Sequence, residues 1–400
     1  MSSSPRRVGL WLVGAFGGVG STTALGLAAL RQKLADTTGM VTALPAFADV
    51  DFDPPEAFVV GGHDIRQTSF TRAAAELHAR SNVFTDALLL ACKPQLDEWS
   101  ANVKPGVVFQ PNAVIAALAD RPDVRRAETA AQAVALIRAD LTAFRTAHKL
   151  DEVVVVNVAS TEPPFAVGDD HSTWAKLSAA LTRGGSVLPT SALYAVAALD
   201  AGCPYVNLTP SLGATFPAAD ELARLRKVPH LGQDAKTGET LLKSVLAPMF
   251  LKRNLRVLSW VGHNILGNRD GLVLSDPANK SSKVKSKEAL LGEMLGYHPQ
   301  SHVSIEYIES LDDWKTAWDH IHFSGFLGTK MTLQFTWQGC DSLLAAPLVI
   351  DLARLAALAR RHGDSGAFTP AACFFKSPLG VREHDLGKQF ELLEQYLAAR

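Results

Sequence analysis

VGLWLVGAFGGVGSTTALGLAAL, from Val8 to Leu30, is the stretch on which the fold turns. Val8 to Val13 is an apolar run ended by glycine, and Leu and Ala then recur at helical spacing from Ser21 to Leu34. The segment therefore reads as strand, glycine-rich turn and helix. Such a unit opens a doubly wound sheet, where the first strand delivers a pyrophosphate to the N-terminus of the next helix. The turn comprises Gly14, Gly17, Gly18, Val19, Gly20 and Ser21, and its spacing departs from G-x-G-x-x-G. Glycine lets backbone approach a phosphate closely, and the position at the first strand favours a nucleotide site over an ordinary tight turn.

Outward from this unit, Ala127 to His148 reads as an amphipathic helix and Glu152 to Ala159 (EVVVVNVA) as a continuous, buried parallel strand. Ser191 to Ala201 follows as a helix and Pro204 to Leu208 (PYVNL) as a strand. From Val257 to Trp337 the apolar residues alternate (HVSIEYIES, KMTLQFTWQ), which predicts a strand-rich second lobe. Helical periodicity returns over Pro347 to Arg361 and Val381 to Ala399. The expected fold class is α/β: a Rossmann-like doubly wound parallel sheet with an inserted α+β lobe. The expected division is 1–240, 241–345 and 346–400, the last part rejoining the first.

A dinucleotide's ribose calls for an acidic partner near the end of the second strand. Asp64, after FVVGGH, is the candidate; Asp49, Asp51 and Asp53 in ADVDFDPP read as a solvated acidic loop. Across all 400 residues, 39 Lys plus Arg balance 40 Asp plus Glu, so no global field recruits nucleic acid or an anionic membrane. Any anion must meet a local cluster. The four cysteines show no C-x-x-C spacing, no metal-ligand motif stands out, and the N-terminal apolar run is far shorter than the roughly 20 residues that span a bilayer. A cytoplasmic protein is the expectation. Lys280, Lys283, Lys285 and Lys287 crowd eight residues. Lys283 and Lys287 would share a face in a helix, where like charges repel by a few tenths of a kcal/mol. An anion among them and a solvated basic loop are both open readings.

GHNILGNRDG (from Gly262), S-D-P-x-x-x-S-S-K-x-x-S-K, LDDWK, CDSLLAAPLVIDL and FFKSPLG occur in the order found in myo-inositol-1-phosphate synthases. The glycine turn, GGHDI, VVVVNVASTE, LPTSALYAVAALDAGCPYVN and GQDAKTGETLLKSVL resemble that family's other landmarks, so the likeness runs from Val8 to Pro378. The resemblance implies a catalytic and tetramerisation role for the inserted lobe, a homotetramer, a sugar phosphate as substrate and NAD as cofactor. It implies conversion of glucose 6-phosphate to an inositol phosphate by oxidation at C5, enolisation, closure onto the C1 aldehyde and re-reduction.

Carried over position by position, Lys283 matches a lysine on the reacting hydroxyl, and Lys376 a second lysine at the reacting end of the sugar. Asp234, Asp313, Lys315 and Lys287 match supporting positions. Thr237 and Gly238 resemble the phosphate loop at a helix N-terminus, with Lys287 and Lys315 as charge partners. Cofactor contacts are implied for Ala159, Ser160, Thr161, Asn268, Asp270, Asp341 and Ser342 beside the glycine turn and Asp64. Eukaryotic members carry an asparagine pair where this chain has Gly18 and Val19, and an asparagine where it has Arg269. Alternative readings are a related cyclase acting on another hexose phosphate, such as fructose 6-phosphate, a net NAD-dependent dehydrogenase, and a non-catalytic NAD-binding regulator. Lys283, Lys287, Lys315 and Lys376 together argue against the last.

Overall fold

Strand β1 (Val8–Val13) faces two cores: Val8, Leu10 and Leu12 join one hydrophobic cluster, while Trp11 and Val13 join another. Strand β6 (Glu152–Asn157) repeats this, with Val154 and Val156 on one side and Val153 and Val155 on the other. Strands apolar on both faces lie between two helical layers. Each of these four valines is at 0% exposure, a burial that contributes about 1.5–3 kcal/mol per side chain. The computed structural model describes residues 6–111, 113–183, 185, 187–268, 271 and 291–400.

The remaining strands are β2 (Phe58–Asp64), β3 (Val103–Pro105), β4 (Val107–Val108), β5 (Arg125–Arg126), β7 (Tyr205–Asn207), β8 (Pro229–Leu231), β9 (Arg256–Leu266), β10 (Gln300–Tyr307), β11 (Trp314–Ser324), β12 (Lys330–Cys340) and β13 (Gly366–Ala367). The large sheet is parallel throughout, in the order β13-β8-β7-β6-β1-β2-β3. β1 thus sits between β2 and β6, where the chain's direction of travel across the sheet reverses. Ligands of open α/β sheets bind at this switch point, beyond the carboxyl ends of the strands.

A second sheet, β10-β9-β11-β12, is built from the alternating segment. Helix Gly238–Lys252 covers it, with Ala247 and Phe250 packed in one cluster with Val257, Trp260, Ile321 and Phe323. Helix Asp341–Arg361 then returns to the core of the large sheet, and β13 extends that sheet beside β8. This helix is long and apolar enough to cross a membrane by composition, yet it is largely buried within the protein. Asp351 near its middle is fully buried and accepts hydrogen bonds from the amides of Val41 (2.7 Å) and Thr42 (3.0 Å) and from the Thr42 hydroxyl (2.6 Å).

Several element ends differ from the sequence reading. The first helix spans Gly18–Arg31, beginning inside the glycine turn, because Gly18 and Gly20 take helical backbone despite their low propensity. The helix expected from Ala127 begins at Ala130, where the Thr129 side chain accepts from the Gln132 amide. The one expected from Pro347 begins at Asp341, with the proline inside it. The last helix starts only at Leu386, capped by Asp385. Asp53 is not solvated: it is 2% exposed and pairs with Arg6 (3.0 Å) and Arg361 (3.2 Å).

Candidate active site

A cavity of about 900 Å³ opens at the carboxyl ends of β1, β2 and β6. Its floor is the glycine turn, and each glycine is there for its own reason. Gly14 has φ +85°, and a Cβ on it would meet the Ala159 backbone at 2.8 Å. Gly20 closes the turn on itself, since its Cβ would lie 2.3 Å from the Ala15 carbonyl oxygen. Gly18 faces Ser342, whose Oγ would be 2.3 Å from a Cβ. The helix that follows has no side-chain cap, so its first amides are available to an anion. Val19 packs against the core while lining the cavity. The Ser21 hydroxyl donates back to the Gly17 carbonyl at 2.8 Å. A dinucleotide's pyrophosphate fits this bare cradle. Ala159, Ser160 and Thr161 form the facing wall, after β6.

Asp64 lies at the cavity wall with both oxygens engaged. Oδ2 accepts from the Phe16 amide (2.6 Å) and Oδ1 from the Arg66 amide (2.7 Å). It fixes the shape of the glycine turn; burial pushes its pKa up against the pull of these amides. Arg66 reaches over the same turn, donating to the Phe16 carbonyl (2.7 Å) and to Glu76 (2.8 Å).

At the other end, Lys376 Nζ meets Asp234 Oδ1 at 2.9 Å. Backbone bonds hold the two segments in register: the Lys376 amide donates to the Asp234 carbonyl (2.7 Å) and the Lys236 amide to that of Phe374 (2.8 Å). Asp234 has φ +63°, a left-handed conformation uncommon outside glycine and found at strained functional positions. Thr237 is the N-cap of helix Gly238–Lys252 by position, yet its side chain makes no capping bond. Thr237 lines the cavity, with Gly238 (φ +57°) next in the chain. Lys236 turns the opposite way: it is 4% exposed, its ammonium donates to Gln389 Oε1, and burial lowers its pKa to about 8.

The turn before β11 contributes Asp313, and β11 itself Lys315. Lys315 Nζ lies 3.7 Å from Asp341 Oδ1. Asp313 is an acceptor hub: Oδ2 takes the Cys340 thiol (2.7 Å) and the Ser342 amide (2.8 Å), and Oδ1 the Ser342 hydroxyl (3.0 Å) and the Asn268 side-chain amide (3.3 Å). Burial raises its pKa. With four donors it holds its neighbours in place. Asn268 therefore lines the cavity from a fixed orientation. Lys283, Lys287 and Asp270, with Lys280, Lys285 and Arg269, lie outside the described residues.

The sequence reading passed over several wall residues. Asn157 ends β6 and donates to Asn207 (3.1 Å) and Thr209 (3.2 Å); a buried asparagine closing each valine-rich strand, VVVVN and PYVN, was the available signal. His63 is the penultimate residue of β2, its Nε2 2.8 Å from Asp140, and burial lowers its pKa. Arg66 and Glu76 carried no local signal.

A family model described as myo-inositol-1-phosphate synthase matches residues 8–398. Inositol-3-phosphate synthase 1 of Bacteroides thetaiotaomicron is 33% identical, over 98% of this chain and 95% of its own. A probable inositol 3-phosphate synthase isozyme 3 of Arabidopsis thaliana is 30% identical, over 98% and 85%. The crystal structure of inositol-3-phosphate synthase from Caenorhabditis elegans superposes with a TM-score of 0.88 at 27% identity, covering 99% of this chain and 86% of that one.

Proposed function

The chain belongs to the myo-inositol-1-phosphate synthase family, and on that premise we propose that it is an NAD-dependent isomerising cyclase converting glucose 6-phosphate to 1D-myo-inositol 3-phosphate. The observation that carries this reading is the convergence of the Asp234–Lys376 and Lys315–Asp341 pairs on the cavity floored by the glycine turn. Bound NAD supplies a hydride acceptor and donor for C5, so no outside oxidant is consumed.

The chain's own residues do the rest. The uncapped amides of helix Gly18–Arg31 hold the pyrophosphate, and Ser342 and Asn268, fixed by Asp313, border the nicotinamide side. The Thr237 hydroxyl, the start of helix Gly238–Lys252 and Lys315 bind the sugar's phosphate. Lys376, steadied on Asp234, exchanges a proton with the oxygen at the reacting end of the sugar. Oxidation at C5 acidifies the C6 protons, and the enolate attacks the C1 aldehyde. Lys283 joins this proton transfer and Lys287 the phosphate site, both on the family resemblance alone.

The same reading takes 1–240 and 346–400 as the NAD-binding domain and 241–345 as the catalytic and oligomerisation domain. It makes the protein a cytoplasmic homotetramer. Supporting this are four buried, unbridged cysteines and exposed apolar residues of the second lobe: Phe326 (87%) and Leu327 (86%) in the turn between β11 and β12, and Trp318 (43%) on β11. Incubation with NAD and glucose 6-phosphate tests the activity. Inositol phosphate without net NADH is expected; accumulating NADH, or turnover only with a different hexose phosphate, overturns the assignment.

A further inference from the structure

We propose that Glu76 makes this chain selective for NAD over its 2′-phosphorylated form, by holding the Arg66 guanidinium on the glycine turn. The inference rests on the cofactor assignment above and concerns the adenosine end of the cavity. In a doubly wound sheet the ribose lies at the carboxyl end of the second strand, where an acidic side chain suits a free 2′-hydroxyl and an arginine suits a 2′-phosphate. This chain has both kinds of residue there. Asp64 ends β2, and Arg66 follows two residues later. Beyond them the wall turns apolar, with Ile65, Val108, Ile115 and Leu118 offering a slot for an adenine ring.

The arginine is already engaged. One terminal nitrogen donates to the Phe16 carbonyl at 2.7 Å and the other to Glu76 Oε2 at 2.8 Å. Its side chain is 14% exposed, whereas that of Glu76, projecting from helix Phe70–Ser81, is 41% exposed. The carboxylate therefore does two things. It neutralises the Arg66 guanidinium near the expected ribose position, and it sets a negative charge where a 2′-phosphate dianion would have to sit. A bidentate guanidinium–phosphate contact would require Arg66 to leave both present partners.

Glu76→Gln keeps the shape of a half-exposed side chain and removes the charge. Isothermal titration calorimetry with NAD and NADP on the purified full chain gives the ratio of their Kd values. In the wild type NAD binds tighter. In Glu76→Gln the ratio of the NADP Kd to the NAD Kd falls at least tenfold, mostly through tighter NADP. Adding Arg66→Ala to that variant returns the ratio to the wild-type value. A ratio that stays within threefold in Glu76→Gln, or a shift that persists without Arg66, overturns the inference while leaving the cofactor assignment intact. A wild type that binds NAD no better than NADP also overturns it. Failure of the wild type to bind NAD at all sinks the cofactor assignment, and this inference with it.

Discussion

Asp234→Asn separates the chemistry of the site from its architecture. The substitution keeps size and a hydrogen-bond acceptor but removes the charge facing Lys376. Two unit charges 2.9 Å apart attract by about 6 kcal/mol at an effective dielectric constant of about 20. Desolvation of both groups and the 15% exposure of Lys376 offset much of this, leaving about 3 kcal/mol for the loss of one partner. If the charged pair is used fully in proton transfer, that loss corresponds to about a hundredfold in rate. The loop should hold its shape, because the Lys376 amide still donates to the Asp234 carbonyl and the Lys236 amide to that of Phe374. Turnover of glucose 6-phosphate, followed as inositol phosphate formed, should therefore drop about a hundredfold in kcat. The Kd for NAD, measured by calorimetry, should stay within about threefold. A variant that keeps kcat within about threefold of wild type would refute the argument that this pair serves the reaction.

Gly20→Ala should weaken NAD binding at least tenfold and cost about 1–3 kcal/mol in chemical denaturation, because its Cβ would lie 2.3 Å from the Ala15 carbonyl. Glu152 is pushed up to about 7 by burial, against Arg360 at 3.9 Å and Arg145 at 4.0 Å. Its folded-state pKa lies above the unfolded one, so its contribution is present below about pH 4.5 and is lost as pH rises through about 7. A Glu152→Gln variant should flatten the decline of Tm over that window. Lys236 shifts the other way, to about 8, so its unfolded form holds the proton longer and stability rises from about pH 8 to about 10.5. That rise should vanish in Lys236→Met, compared with wild type by Tm at either end of the window. Lys283→Ala should abolish turnover while NAD still binds, and wild-type activity in it would remove that residue from the mechanism.

What the sequence disclosed was what local pattern controls. The run Val8 to Val13 coincides with β1 because it is apolar on both faces and ends at Gly14, a position with φ +85°. The valines of EVVVVN likewise predict a strand buried on both faces, and the alternation of KMTLQFTWQ a strand with an exposed or interface face, which the structure places at the edge of the second sheet. The start of the first helix was not legible, since glycines at positions 18 and 20 argue against helix by propensity and are excused only by what surrounds them. Nor was the burial of Asp53, whose partners Arg6 and Arg361 lie 47 and 308 residues away. Lys376, Asp234, Thr237 and Lys315 reached the candidate list by resemblance, and the cavity brings them together. Asp313 reached it the same way, but its donors come from positions 268, 340 and 342, which no local pattern could join.

The hub at Asp313 also bears on the glycine turn. Ser342 is fixed by two bonds to Asp313, through its amide and its hydroxyl. Its Oγ then occupies the space that a side chain at position 18 would need, so glycine there follows from a carboxylate in the turn before β11. The same turn of the second sheet is tied to helix Phe70–Ser81: Arg80 pairs with Asp312 at 2.5 Å, and the Trp314 indole donates to the Ser81 carbonyl at 2.8 Å. That helix also carries Glu76, the partner of Arg66. One helix thus links the Arg66–Glu76 end of the cavity to the Asp313 and Lys315 end. The placement of the groups at the two ends is therefore set by shared contacts, and a change at Asp312 or Trp314 should be felt at both.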